Sequence, residues 1–417
     1  MAVESVKGIV KDIPLANNYG PEFLVIERGE GSWLWDVEGK RYLDFTAGIA
    51  VNALGYGRKD LAKAAYEQML KIIHTSNLYT TSPVIELAER LIKTGSFLEN
   101  DGFVALHFSN SGSEANETAL KYARLYSLRE KGKGHDKILA FSNAFHGRTL
   151  GALSCTPKAK YQEPFKPLIP GVEVCGYNDT DALSKMLNEE FAAVIVEVVQ
   201  GEGGLDVMSK EFADALNALC KKYNVILIAD EVQTGLSRTG SFYASQGVGL
   251  KPDIVTLAKP LAGGLPLSAT LIPEKINTLI HVGEHGSTFG GGPVTAAVAL
   301  RVLEVLSEES FIAEVAEKGD YFAKLLEGLT NRHSSLGALK GKGLLRGVEY
   351  LGGESDGGGK SPDLSKVISL AREKGLLILR SGTNVLRFTP PLTISKDELE
   401  RGIAILDEVM GELEKTS

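Results

Sequence analysis

The chain has 417 residues, of which 43% are hydrophobic and 24% charged, and its formal net charge at pH 7 is -8. This length gives room for two or three domains, and the acidic balance predicts neither a nucleic-acid partner nor an anionic membrane surface. Cys155, Cys175 and Cys220 share no CxxC spacing, so neither a disulfide framework nor a zinc site is expected. No run approaches the ~20 apolar residues that span a bilayer, and the N-terminus lacks a signal-peptide core. We therefore expect a cytoplasmic protein, or the mature form of an organellar one.

The N-terminal part predicts short strands over residues 23–27, 33–36 and 42–45, which glycines separate. From about Asp60 the apolar residues follow a helical period. Beyond residue 102 strands alternate with helices, which predicts a mostly parallel sheet with helices on both faces. The predicted strands are 104–109, 137–141, 193–199, 225–230 and 254–258, and the predicted helices are 113–130 and 212–223.

After Pro293 the pattern changes to long amphipathic helices and short strands, which indicates a smaller α+β domain that the N-terminal strands should join. We expect three parts: an N-terminal segment over 1–59, a large domain over 60–292 and a C-terminal small domain over 293–417. The Gly-rich residues 352–359 predict a surface loop. The predicted helices are 294–306, 311–329, 363–374 and 396–413, and the predicted strands are 344–350 and 376–379.

Two apolar runs end in a charged residue: residues 225–229 run into Asp230, and residues 254–258 run into Lys259. Open α/β sheets place their ligands at the carboxyl ends of such strands. The pair suits pyridoxal phosphate, because the lysine can form a Schiff base and the carboxylate can keep the pyridine nitrogen protonated. Taken singly, Asp230 could cap the following turn and Lys259 could be a solvated lysine. Together they are more specific than either alone.

Two segments of mostly small residues could bind a phosphate. Residues 110–116 join a strand to a helix, where free backbone amides attract anions, although small residues there also form ordinary caps. We expect Ser113 to begin the capping pattern of that helix, with Asn116 and Glu117 in its first turn. Thr288, in the Gly-rich loop over residues 285–293, could donate a hydrogen bond to a phosphate oxygen.

Other residues suit a flat ring and carboxylates. Phe145 could stack on a ring, and Arg148 could bind a carboxylate with two hydrogen bonds, whereas His146 has the pattern of a structural histidine. Arg387 lies inside an apolar run and should therefore face an anion. That anion could be a substrate, or an acid such as Glu202 in a structural ion pair.

In combination these motifs resemble the class III, fold-type I, pyridoxal-phosphate-dependent aminotransferases, from about Tyr19 to about Leu413. Two further segments, DFTAGIAVNALG and HTSNLY, are most similar to the acetylornithine aminotransferases within that class. The segments that carry the resemblance are GSWLWDVEGKRYLDF, NSGSEANETALKYAR, FHGRTLGALSCT, VEVVQGEGG, IADEVQTGLSRTG, LAKPLAGGLP, GSTFGGGP and LRFTPPLT.

The resemblance implies a role for each site residue. Lys259 is the Schiff-base lysine and moves a proton, and Asp230 pairs with the pyridine nitrogen. Arg148 binds the distal carboxylate of the substrate, and Arg387 binds the α-carboxylate of glutamate. Glu202 forms an ion pair with Arg387 while the amine donor is bound. Tyr19, Asn77 and Tyr79 contact the substrate tail. The remaining cofactor contacts are Ser111, Gly112, Ser113, Phe145, Glu197, Val232, Gln233 and, from the neighbouring subunit of a homodimer, Thr288.

The implied reaction moves the terminal amine of N2-acetylornithine to 2-oxoglutarate, giving N-acetylglutamate 5-semialdehyde and glutamate, as in arginine biosynthesis. An ornithine aminotransferase, or one acting on succinylornithine or 4-aminobutyrate, is the alternative. Ile49 favours acetylornithine, because the ornithine branch usually has an aromatic residue there. A glutamate-semialdehyde aminomutase has little use for the Arg148 and Arg387 pair. A non-catalytic binding protein would fail to form the Schiff base.

Overall fold

A computed structural model describes residues 9–10, 15–19, 23–98, 102–352 and 364–416. The predicted Gly-rich surface loop lies, from Gly353 onward, outside these residues. In chain order the strands are β1 (Ile9–Val10), β2 (Phe23–Leu24), β3 (Ile26–Glu30), β4 (Trp33–Asp36), β5 (Arg41–Asp44), β6 (Phe103–Ser109), β7 (Lys137–Phe141), β8 (Val172–Cys175), β9 (Phe191–Val196), β10 (Ile226–Asp230), β11 (Ile254–Leu257), β12 (Ser268–Pro273), β13 (Leu336–Lys342), β14 (Leu345–Tyr350), β15 (Leu376–Leu377), β16 (Leu379–Ser381) and β17 (Val385–Phe388).

Helices separate most of these strands, and two further turns, Thr94–Leu98 and Glu163–Phe165, are 3-10 helices. The α-helices are α1 (Ala47–Ala50), α2 (Lys59–Met69), α3 (Ser82–Lys93), α4 (Gly112–Glu130), α5 (Leu150–Ser154), α6 (Ala159–Gln162), α7 (Thr180–Met186), α8 (Lys210–Tyr223), α9 (Ala244–Val248), α10 (Glu274–Asn277), α11 (Pro293–Leu306), α12 (Glu309–Thr330), α13 (Leu364–Glu373) and α14 (Lys396–Thr416).

A seven-stranded sheet with the order β6-β12-β11-β10-β9-β7-β8 forms the centre of the chain. The neighbouring pairs from β11 to β8 are parallel, and only β12 runs antiparallel to both of its neighbours. The predicted α/β architecture with a large, mostly parallel sheet is therefore confirmed. Strands β8 and β12 were not predicted, and β12 completes the sheet between β6 and β11.

The middle strands are buried on both faces, as their uninterrupted apolar runs predict. Ile226 and Ile228 of β10 belong to one apolar cluster, which includes Ala119 and Leu120 of α4. The alternate residue Leu227 belongs to a second cluster, together with residues of α8. Successive side chains of a strand point to opposite faces of the sheet, so the two clusters lie on opposite faces. Helices therefore cover both faces, and the strand ends stay open.

The two ends of the chain meet in smaller sheets. One four-stranded sheet has the order β13-β14-β17-β16, and the other has the order β15-β5-β4-β3. In the second sheet β15 pairs in parallel with β5, which joins the C-terminal part to the N-terminal strands as expected. The single strand predicted over residues 376–379 is in fact two strands, because Ile378 separates β15 from β16 and each joins a different sheet.

The four-residue segment α1, which follows β5, is a left-handed turn and not a regular α-helix. Ala47, Ile49 and Ala50 all have positive φ, with a value of 64° at the β-branched Ile49. The Asp44 carboxylate holds this turn by accepting hydrogen bonds from the amides of Thr46 (2.8 Å) and Ala47 (3.0 Å). Left-handed conformations of β-branched residues are strained, and such strain concentrates at functional sites.

Candidate active site

The ends of two adjacent central strands bring Asp230 and Lys259 to the same edge of the sheet. Strand β10 ends at Asp230 and pairs in parallel with β11, in the register Asp230 to Thr256. Lys259 follows β11 by two residues. The carboxyl ends of parallel strands are the binding edge of an open α/β sheet, so the fold places both side chains where a ligand would lie.

The Asp230 carboxylate is oriented by three neighbours and is only 4% exposed. Its Oδ1 accepts a hydrogen bond from the Val232 amide at 3.0 Å. Its Oδ2 accepts one from Asn116 Nδ2 at 2.8 Å and lies 2.7 Å from His146 Nδ1. Asn116 is itself fixed, because its Oδ1 accepts from the Thr256 hydroxyl at 2.8 Å. The carboxylate therefore cannot rotate freely, which favours a fixed contact with a ligand nitrogen.

The Lys259 amine has no hydrogen-bond or ion-pair partner within the described part of the chain, although the residue is partly buried. Burial lowers the pKa of this amine to about 8. The positive charge of Arg387 also lowers that pKa, while the carboxylates of Glu202, Asp230 and Glu197 raise it. A lysine that loses its proton this readily can act as a nucleophile or as a general base near neutral pH.

The N-terminus of α4 provides two free backbone donors. Among the described residues, the amides of Gly112 and Ser113 donate to no acceptor. The predicted cap at Ser113 is wrong, because Ser111 is the N-cap and its Oγ accepts from the Glu114 amide at 3.3 Å. The sequence contains several small polar residues here, and only the chain path decides which one caps. Free amides at the start of a 19-residue helix form a phosphate-binding position.

Glycine lets this helix start approach the loop that follows Asp230. A Cβ placed on Gly112 would lie 2.6 Å from Val232 Cγ1, which is too close for any larger residue without movement. Val232 is thus in contact with the phosphate-binding position, while its own amide holds Asp230. The structure therefore joins the Asp230 loop and the start of α4 into one site.

A buried arginine forms an ion pair beside this site. Arg387 is 3% exposed, and its Nη1 donates to Glu202 Oε1 at 2.5 Å, to the Gly201 carbonyl at 2.8 Å and to Gln233 Oε1 at 3.4 Å. Arg387 Nε is buried without an acceptor within the described residues. The structure brings together the arginine and the acid that the sequence suggested as an ion pair, and Lys158 Nζ donates to the Glu202 carbonyl.

Phe145, Arg148 and Glu197 lie around the start of α4. The Phe145 amide donates to Glu197 Oε2 at 2.9 Å, and the Arg148 amide donates to Ser113 Oγ at 3.1 Å. Glu197 also accepts from the Gly201 amide at 3.2 Å, and burial raises the pKa of its carboxyl to about 7. The Arg148 guanidinium is exposed and has no carboxylate partner among the described residues.

Tyr19, Asn77 and Thr288 are exposed in the isolated chain. Asn77 Nδ2 donates to the carbonyls of Ser287 (2.7 Å) and Gly290 (3.1 Å), so it supports the loop that carries Thr288. Within the described residues, no hydrogen bond or ion pair joins any of these three to Lys259 or Asp230. This arrangement leaves the loop available to a neighbouring molecule.

Two buried polar residues of the site were not singled out as functional from the sequence. Asn116 was noted only as part of the helix start, and His146 was expected to be structural, yet both contact the Asp230 carboxylate. Their partner lies far away along the chain, so no local pattern could identify it. His146 Nε2 is buried without a partner within the described residues.

The residues present fit pyridoxal phosphate. An unpartnered amine of lowered pKa suits its aldehyde, an oriented carboxylate suits its pyridine nitrogen, and two free amides at a helix start suit its phosphate.

In the described part of the chain there is no group of three or more metal-binding side chains, and no helix is long and apolar enough to cross a bilayer.

Comparison with known proteins agrees with this chemistry. Residues 15–410 match the family described as Aminotransferase class-III. Acetylornithine aminotransferase of Methanocaldococcus jannaschii is 41% identical, over 95% of this chain and 96% of the relative. Succinylornithine transaminase of Citrobacter koseri is 42% identical, over 92% of each chain. The solved ornithine aminotransferase of Toxoplasma gondii, whose active site is partially occupied by pyridoxal phosphate, has a TM-score of 0.88 and 31% identity, and the match covers 97% of this chain and 93% of that one.

Proposed function

We propose that this chain, which belongs to the class-III aminotransferase family, moves the terminal amino group of N2-acetylornithine to 2-oxoglutarate. The products would be N-acetylglutamate 5-semialdehyde and glutamate, and the reaction would serve arginine biosynthesis. The chain is a pyridoxal-phosphate-dependent transaminase, and the choice of substrates is our proposal. The observation that carries it is the Glu202–Arg387 ion pair beside Lys259, while the Arg148 guanidinium donates to no acceptor among the described residues.

Pyridoxal phosphate supplies, when bound, the electrophilic carbon and the electron-withdrawing ring of transamination. Lys259 would hold its aldehyde carbon, Asp230 its pyridine nitrogen, and the amides of Gly112 and Ser113 its phosphate. The other proposed cofactor contacts within the chain are Ser111, Phe145, Glu197, Val232 and Gln233. Thr288 would reach the cofactor from the neighbouring subunit.

We assign proton transfer to Lys259 Nζ. A pKa near 8 leaves a substantial neutral fraction at physiological pH, so this amine can take the proton from the substrate carbon that bears the transferred nitrogen. General acid–base transfer by a positioned side chain contributes about 10²–10⁴-fold to the rate. Asn116 and His146 would hold Asp230 in place throughout, because both contact the same carboxylate oxygen.

Arg148 and Arg387 would allow one site to bind two different substrates, the amine donor and the dicarboxylate. With Glu202 paired to Arg387, a donor with one carboxylate binds through Arg148 and presents its amine. When Glu202 moves aside, Arg387 can take the second carboxylate of 2-oxoglutarate or glutamate. Tyr19 and Asn77 remain proposed contacts of the donor tail.

Succinylornithine is the second candidate donor, because a succinylornithine transaminase is as similar to this chain as the acetylornithine enzymes are. Ornithine and 4-aminobutyrate are weaker alternatives. Ile49 is 44% exposed and belongs to the strained turn, and an aliphatic side chain there would leave room for an acylated α-amino group.

A homodimer with shared active sites is also proposed. Phe289 beside Thr288 is 68% exposed, and Leu70, Leu78 and Tyr79 are exposed as well, which is typical of a surface that a second copy covers. The free, buried state of all three cysteines supports a cytoplasmic or mature organellar location. We retain the division into 1–59, 60–292 and 293–417, which the β5–β15 pairing supports.

A half-reaction assay tests the proposal. The holoenzyme is mixed in turn with N-acetylornithine, N-succinylornithine, ornithine and 4-aminobutyrate, and formation of the pyridoxamine form is followed by absorbance. We expect kcat/KM to be highest for N-acetylornithine. A clear preference for one of the other three amines would contradict the proposed substrate and leave the family assignment intact.

A further inference from the structure

Tyr161 lies on the short helix α6, which is fixed to its surroundings. The next residue, Gln162, donates from Nε2 to the carbonyls of Leu153 (3.0 Å) and Ser154 (3.3 Å), at the end of α5. The Tyr161 ring also lies edge-on to the ring of Phe145, with the centroids 6.4 Å apart. The aromatic ring of Tyr161 is therefore held at a defined place beside the proposed cofactor site.

The Arg148 guanidinium lies on this ring. Its central carbon is 3.6 Å from the Tyr161 ring centroid, compared with 5.5 Å from the ring of Phe145. Within the described part of the chain, no carboxylate or carbonyl accepts from the guanidinium. Stacking uses the flat face of the group and leaves the N–H groups at its edge free. An arginine held in this way is ready to bind a carboxylate with two hydrogen bonds.

We propose that Tyr161 is the positioning residue for Arg148 and thereby sets the affinity of the site for substrates that carry a carboxylate at this end. The inference rests on the proposed function, because it takes Arg148 as the distal-carboxylate ligand. An exposed arginine loses rotational freedom when it binds an anion, and a ring that already restricts it reduces that loss. Tyr161 therefore acts on binding and leaves the proton transfer at Lys259 unchanged.

Lys158 connects the segment that carries Tyr161 to the Glu202–Arg387 pair, which is the proposed position of the second carboxylate. Its ammonium lies 5.8 Å from the Tyr161 ring centroid, and its Nζ donates to the Glu202 carbonyl. Burial lowers the pKa of this amine, and the neighbouring charges are those of Glu202, Glu197, Arg387 and Arg148. A disturbance that passed from Tyr161 to Lys158 would alter the Glu202 loop, so the test must separate the two effects.

The test compares Tyr161→Leu, which removes the ring, with Tyr161→Phe, which keeps it. Among the described residues the Tyr161 hydroxyl has no partner, so the phenylalanine variant is a matched control. Two donors are used with each holoenzyme: N-acetylornithine and N-acetylputrescine, which is the same molecule without its carboxylate. Calorimetry measures the Kd of glutarate, which has both carboxylates of 2-oxoglutarate but lacks the keto group that would react.

In Tyr161→Leu we expect the KM of N-acetylornithine and the Kd of glutarate to rise about 3- to 30-fold, as expected from the loss of a cation–π contact. The kcat for N-acetylornithine and the kcat/KM for N-acetylputrescine should stay close to those of the parent. Tyr161→Phe should behave like the parent in every assay.

An unchanged Kd for glutarate in Tyr161→Leu would overturn the inference. The inference would also be overturned if Tyr161→Phe raised the KM of N-acetylornithine and the Kd of glutarate as much as Tyr161→Leu does. The same holds if Tyr161→Leu lowered kcat/KM for N-acetylputrescine as much as for N-acetylornithine. A structural disturbance would explain either result. If the parent enzyme turned over no N-acetylornithine while Tyr161→Leu still weakened glutarate binding, the proposed substrate would fail and the role of Tyr161 would stand.

Discussion

The amine of Lys259 in the cofactor-free enzyme should titrate near pH 8. Burial, the largest cause, lowers its pKa from 10.5 to about 8, which corresponds to a destabilisation of the charged form by about 3 kcal/mol. At pH 8 about half of these amines would be neutral, compared with about 0.3% of ordinary lysines. The reactivity of Lys259 toward an amine-specific reagent should therefore exceed that of a surface lysine by about 100-fold at this pH.

Two substitutions should move this pKa in opposite directions. Arg387→Gln removes a positive charge that lowers the pKa of Lys259, so the pKa should rise. Glu202→Gln removes a negative charge that raises it, so the pKa should fall further. The opposite signs separate the effect of charge from a general loosening of the site, which would move both variants toward the value of a solvated lysine.

The assay is trinitrophenylation of the cofactor-free enzyme between pH 6 and pH 11, with each lysine followed by peptide mass spectrometry. Peptides that contain Lys210, whose side chain is 70% exposed, report the reactivity of the reagent itself. A midpoint near 10.5 for Lys259, with no response to either substitution, would refute the reasoning that burial and these charges set its proton affinity.

Three further results are expected. Glu202→Ala should speed the glutamate half-reaction relative to the N-acetylornithine half-reaction, because Arg387 loses its competing partner; an unchanged ratio in single-turnover stopped-flow would contradict the exchange of partners. Asn116→Ala should lower the free energy of unfolding by about 2 kcal/mol in urea, because it removes three buried hydrogen bonds, and equal midpoints would refute this. Burial lowers the pKa of His107 to about 4, so below pH 6.5 the unfolded chain binds the proton first and stability should fall as pH drops toward 4. In His107→Gln that loss should be smaller. A fall in the urea midpoint from pH 7 to pH 4.5 that is as large in the variant as in the parent would contradict this prediction.

The strand ends of the site could be predicted because their signals are local. The apolar runs of Ile226–Asp230 and Ile254–Leu257 mark buried strands wherever they occur, and the charged residue at the end of each run marks the open edge of the sheet. The helix start beside them was predicted to within one residue, but not its cap.

The features that could not be predicted from the sequence depend on contacts between distant parts of the chain. Strand Ser268–Pro273 has a short apolar pattern, and it becomes a strand because Ile254–Leu257 and Phe103–Ser109 both pair with it. The positive φ of Ile49 occurs in a turn whose first amides donate to Asp44, and it has no sequence signal of its own. The stacking of Arg148 on Tyr161 likewise needs the path of the chain between them.

Borohydride reduction of the holoenzyme, followed by peptide mapping, tests the central claim most directly. We expect one pyridoxyl group per chain, carried by Lys259. A label on any other amine, or no label at all, would contradict the assignment of Lys259 as the residue that holds the cofactor.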